Sequence, residues 1–140
     1  MEHEGIPDLW VAIEANRTED PVIVSDSKPL LLSPSDELTF ELWSLSPVET
    51  GISGGWAFMG EEGKWVGVSS KRVTSASTDS GEELEVVVSG SEGEIVVLLF
   101  AKGVTSTAAS SGSAASVVKV ACTLGQSGMA TARVPAMACA

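Results

Sequence analysis

The sequence predicts an all-β fold, a two-sheet antiparallel β-sandwich of roughly ten strands. Three observations carry this. Runs that are β-branched or alternate apolar with polar recur at short spacing along the chain. Clusters of Gly, Pro, Asn, Asp and Ser separate them, and these residues form turns. No ten-residue window holds a 3.6-residue apolar period without interruption by Gly, Pro or a β-branched residue. Two packed antiparallel sheets satisfy such a pattern.

The expected strands are 8–15, 21–25, 29–32, 37–47, 55–60, 64–69, 83–89, 94–101, 116–124 and 129–134. Leu9, Val11 and Ile13 give the first its core face; Leu38, Phe40 and Leu42 do so for the fourth. Trp56 alternates with Phe58 and is expected in the core. Residues 94–101 are apolar on both faces, which predicts a central strand. The short connection Ser91, Glu92, Gly93 predicts a hairpin joining 83–89 to 94–101. At 140 residues the chain is most simply one domain, 1–140, with a flexible Ala/Ser/Gly loop at 105–116.

Charge restricts the partners. The net charge is −11, which argues against nucleic acid, since phosphate binding needs clustered Lys and Arg, and against anionic membrane surfaces. All 19 acidic residues lie before Ile95, so the acid-free remainder is expected to pair with the acidic part as strands. Cys122 and Cys139 are too few for a disulfide scaffold. They are expected to be free thiols in a reducing compartment. There is no basic start followed by an apolar run, and no apolar stretch of about 18 residues. A cytoplasmic or plastid location is the expectation.

Catalytic chemistry finds little to work with. His3 is the one histidine and lies near the start of the sequence; a Ser-His-Asp arrangement needs a positioned imidazole, and zinc needs several His or Cys ligands. Asp36-Glu37, Glu61-Glu62 and Glu82-Glu83 sit in or beside turns. Strand neighbours point to opposite faces, so these pairs are expected to be solvated and not to form a glycosidase dyad. Glu19, Asp20 and Asp26 lack calcium-loop spacing. Asn16-Arg17-Thr18 fits a glycosylation acceptor, and Gly54-Gly55 and Gly90 to Gly93 precede no helix and are expected as turns. No catalytic residue, metal or cofactor is expected.

The tryptophans are the candidate site. Trp10 alternates away from Leu9, Val11 and Ile13; Trp43 away from Leu42; Trp65 away from Val66 and Val68. A strand turns successive side chains to opposite sides, so Trp10, Trp43 and Trp65 are expected to cover a second surface. Three uses are open: a smaller core beneath a terminal segment, an interdomain surface, or a sugar platform.

The order of motifs resembles a known family. Pro29-Leu-Leu-Leu-Ser-Pro-Ser-Asp-Glu-Leu-Thr-Phe-Glu-Leu-Trp-Ser-Leu-Ser-Pro-Val-Glu49 is similar to the segment opening the C-terminal β domain of raffinose synthases and alkaline α-galactosidases, the plant seed imbibition proteins. Asp8-Leu-Trp-Val-Ala-Ile13 resembles the family's preceding strand. Leu84-Glu-Val-Val-Val-Ser-Gly-Ser-Glu-Gly-Glu-Ile-Val-Val-Leu-Leu-Phe-Ala101 resembles its glycine hairpin. Val118-Lys-Val-Ala-Cys-Thr-Leu-Gly-Gln-Ser-Gly-Met-Ala-Thr-Ala-Arg-Val-Pro135 resembles its closing hairpin. The chain departs from the family in having no tyrosine, and Ser75 to Gly81 only echoes the Asn-rich Gly-Gly loop.

The resemblance implies a non-catalytic accessory domain that braces a separate catalytic barrel, with α-galactosyl transfer or hydrolysis carried out there. The family's catalytic aspartates belong to that barrel, so none is carried over to this chain. The partner implied is the barrel, with an oligosaccharide as the alternative ligand. A stand-alone carbohydrate-binding module and a self-associating β-sandwich are the other readings open.

Overall fold

The structure, a computed structural model, describes residues 9–15, 17–32, 41–49, 51–52, 54–64, 67–78, 81–104 and 115–140. Among them are ten strands and no helix. They are β1 (Leu9–Glu14), β2 (Arg17–Ser25), β3 (Trp43–Pro47), β4 (Trp56–Glu61), β5 (Val73–Ser77), β6 (Leu84–Ser89), β7 (Ile95–Lys102), β8 (Ser116–Thr123), β9 (Met129–Val134) and β10 (Ala138–Cys139). All pairings are antiparallel. The strands form three sheets, ordered β2-β1-β3, β4-β7-β8 and β10-β9-β6-β5.

The sheets stack as layers with β4-β7-β8 in the middle. Parity along each strand decides which neighbour a side chain meets. On β7, Val96, Leu98 and Phe100 enter the larger core against Leu84, Val86 and Val88 of β6 and Ala130, Ala132 and Val134 of β9. Leu99 and Ala101 enter a smaller core with Leu9, Val11 and Ile13 of β1. β4 divides likewise, Trp56 to the larger core and Ala57 and Met59 to the smaller. Burial of each large apolar side chain here contributes about 1.5–3 kcal/mol. The apolar run at 94–101 therefore does mark a strand covered on both faces. The acid-free part pairs as expected: β7 with β4, and β9 with β6.

Two expected hairpins are corrected. β6 pairs with β5 and β9, whereas β7 pairs with β4 and β8, so the Ser91-Glu92-Gly93 connection arches from one sheet to another. The same holds for the closing segment, since β8 and β9 lie in different sheets. Sharing a core across the layer gap buries the apolar faces of β6 and β7 against each other, which pairing them edge to edge would not do. The arches are stitched together: Gly90 N–H donates to the Gly128 carbonyl, at 2.8 Å, and Gly93 N–H to that of Leu124, at 2.7 Å.

Other differences are local. Within 29–32 no strand forms; Lys28 makes an isolated bridge to Ser25. Residues 67–69, expected at the end of the 64–69 strand, are not a strand either. The Trp65 and Val66 positions of that expected strand lie outside the described residues, as do 33–40. Of the loop expected at 105–116, residues 105–114 lie outside them too. Ala115 is buried in the smaller core and Ser116 opens β8.

The cysteines are not free. Cys122 and Cys139 form a disulfide, with Cα atoms 5.4 Å apart and a sequence separation of 17. Cys122 points into the larger core from β8, and the edge strand β10 carries Cys139 to it, so the bond ties the middle sheet to the outer one.

Candidate functional site: the outer face of the first sheet

Antiparallel register decides which residues share the outer face of β2-β1-β3. Residues directly opposite each other project to the same side. Trp10 pairs with Val24 and Pro47, Ala12 with Val22 and Leu45, and Glu14 with Arg17 and Trp43. Val11 and Ile13 fill the smaller core on the other side, so these three rows face outward. Trp10 and Trp43 thus stand on one face, as their parity predicts, separated along the strands by about four residues or 13 Å. Trp65 lies outside the described residues. Trp56 is in the larger core, as expected.

Both outer indoles are half-buried, and Leu45 between them is 48% exposed. Ala12 is fully buried although it belongs to the outer face. Trp43 Nε1 donates to Glu41 Oε2 at 3.0 Å. Beside Trp43 a cleft of about 270 Å³ is lined by Glu14, Arg17, Asp20, Val22 and Glu41. Among the described residues, no group of three or more His, Cys, Asp or Glu side chains could hold a metal ion. His3, Asp36, Glu37 and Asn16 lie outside those residues.

A second polar feature joins the layers at one end. Arg72 donates through Nε to Glu61 (3.1 Å), through Nη1 and Nη2 to Glu94 (2.6 and 3.2 Å), and through Nη1 to the Ser89 carbonyl (2.9 Å). Glu61, expected to be solvated, is instead largely buried with its side chain 10% exposed; Glu62 meets the Lys119 ammonium at 2.9 Å. The Glu94 hydrogen bond raises the Arg72 pKa above its ordinary value, and the Arg72 hydrogen bond lowers that of Glu94.

The lowered Glu94 pKa fixes the sign of a pH dependence. Its contribution to stability is complete above the unfolded carboxylate value of about 4.3 and is lost as pH falls through the lower folded-state value. The raised Arg72 value affects stability only in strong alkali, beyond its ordinary range. Thermal midpoints measured from pH 6 downwards, roughly to pH 2, are therefore expected to fall less steeply in Glu94→Gln than in the parent. Parallel curves for the two would remove Glu94 from the acid response.

The fold and this face together define a layered, all-β arrangement with a largely apolar outer sheet surface. No protein family model, no curated protein and no solved structure matches the chain.

Proposed function

We propose that this chain is a non-catalytic accessory domain that docks, through the outer face of β2-β1-β3, on the catalytic barrel of a parent enzyme of the raffinose synthase and α-galactosidase kind. The observation that carries the docking reading is the register itself. It sets Trp10, Val22, Val24, Trp43, Leu45 and Pro47 on one outer face, Leu45 and Pro47 exposed and the other four half-buried, and aromatic and aliphatic side chains of this kind anchor interfaces. The motif resemblance supplies the parent enzyme and α-galactosyl transfer or hydrolysis as its reaction. The cross-sheet disulfide favours an oxidising compartment over the cytoplasm or plastid.

A second reading is favoured by the cleft beside Trp43, where an indole adjoins Glu14, Arg17, Asp20 and Glu41. Carboxylates and a guanidinium can hydrogen-bond sugar hydroxyls while an indole covers the ring. An antibody to this domain, used on extracts of its source, tests between them. A polypeptide several-fold heavier than 14.4 kDa is expected. A species of 14.4 kDa alone would overturn the docking reading, and oligosaccharide quenching of tryptophan fluorescence would then select the sugar-binding one.

A further inference from the structure

The inner side of β2-β1-β3 holds a feature independent of the docking face. At one end of the smaller core a cavity of about 170 Å³ opens between the first sheet and the middle one. Its floor is Ile13, Met59 and Leu99, all buried, with the more exposed Leu42 beside them. Close-packed interiors leave few spaces larger than a water molecule, so an opening of this size needs a structural cause.

The cause is a pair of irregularities facing each other. The β1–β2 register shifts between Ala12 and Glu14, around Ile13. The β4–β7 register shifts between Phe58 and Gly60, around Met59. Bulges bend and twist the strand that carries them and recur beside binding sites. Here both bring an apolar side chain to the same cavity. Gly60, with φ of 105°, lets the following loop fold back: a Cβ there would meet the Gly67 carbonyl carbon at 2.9 Å. Glu61 N–H donates to the Gly67 carbonyl at 2.8 Å, and this contact sets the loop residues Gly63, Lys64 and Gly67 at the cavity rim.

The rim is polar but balanced. Lys64 offers a donor, Thr18 and Ser44 offer hydroxyls, and Glu61 offers a carboxylate already engaged by Arg72 at 3.1 Å. Arg72 also holds Glu94, and Lys64 lies close enough to Glu94 to help lower its pKa. The cavity itself is lined by one cation, Lys64, and one carboxylate, Glu61. Arg72 and Glu94 balance each other in the adjoining cleft, so no net charge is left to neutralise a charged ligand. We propose that this cavity binds a small uncharged amphiphile, a single apolar ring bearing a hydroxyl, with the ring on Ile13, Met59 and Leu99 and the hydroxyl at the rim. An apolar cavity of about 150 Å³ accommodates one benzene ring, which sets the size. A charged head would enter without a counter-ion, and an uncompensated charge in such a site is costly.

Benzyl alcohol, benzoate and benzylammonium share a ring and differ in head group, so thermal unfolding of the full chain with each compound tests the assignment. Benzyl alcohol is expected to raise the midpoint saturably, with both ions at least roughly tenfold weaker, a difference of about 1.4 kcal/mol. Ala15→Phe places bulk at the mouth, where Ala15 is exposed, and is expected to abolish the response while circular dichroism stays unchanged. Equal response to an ion and the alcohol would overturn the uncharged head. No response to any of the three, or an undiminished response in Ala15→Phe, would overturn the site. Should Ala15→Phe fail to fold, Leu42→Trp supplies a second block from the neighbouring segment that leads into β3, where Ala15 N–H donates to the Leu42 carbonyl at 2.9 Å.

Discussion

Gly55→Ala is expected to lower the unfolding free energy by on the order of 4 kcal/mol or more, the range reserved for changes with a specific steric or strain cause. Gly55 has φ of 65°, and a Cβ built there would lie 1.9 Å from the Val104 carbonyl oxygen. That oxygen belongs to backbone, and the same segment is fixed by the Val104 N–H bond to the Gly55 carbonyl at 3.2 Å. Neither side can yield without moving β4 away from the end of β7. Gly63→Ala is the control: φ is 78° but nothing lies within 4 Å of the new methyl. It carries only the left-handed backbone cost of about 1–2 kcal/mol. Urea unfolding of both variants checks the contrast, and equal midpoints would contradict the close approach at Gly55.

Breaking the Cys122–Cys139 bond is expected to cost about 3 kcal/mol, the loop-closure value for a loop of this length. The loop has a sequence separation of 17 and contains β9 with the arch that leads into it. Freed of the bond, β10 retains two paired residues and the reciprocal Thr131–Ala140 backbone bonds of 2.8 and 3.0 Å. Comparison of urea midpoints with and without a dithiol, and for Cys139→Ala, measures the loss. Unchanged midpoints together with two alkylatable thiols in the untreated protein would show that the bond is not made.

The features legible in the sequence are those that parity records. Trp10 and Trp43 betray the outer face because each interrupts an apolar series one residue out of step, and β7 betrays a covered strand because neither of its parities is polar. β5 leaves no such signal: Val73, Thr74, Ser75, Ala76 and Ser77 are mostly exposed at the edge of their sheet, where small polar side chains show no alternation to detect. β10 has two residues, too few for any period. The arches read as hairpins because a connection such as 90–94 is equally short whether the next strand lies beside the last or across a core. The pairing of the cysteines is hidden for a related reason: spacing along the chain carries no information about which sheets face each other. The cavity is equally invisible, since it arises from two register shifts, and register belongs to pairs of strands.

The arrangement of β6, β7, β8 and β9 also governs how the protein is made. β6 needs β9 as its partner, and β7 needs β6 and β9 to cover one of its faces. On the ribosome β9 emerges last of the four. Until it does, Val96, Leu98 and Phe100 have only part of their cover, and the strands already synthesised cannot close the larger core. Newly synthesised chains therefore pass through an interval in which the most apolar strand is open to other nascent chains, the circumstance in which chaperones are most needed.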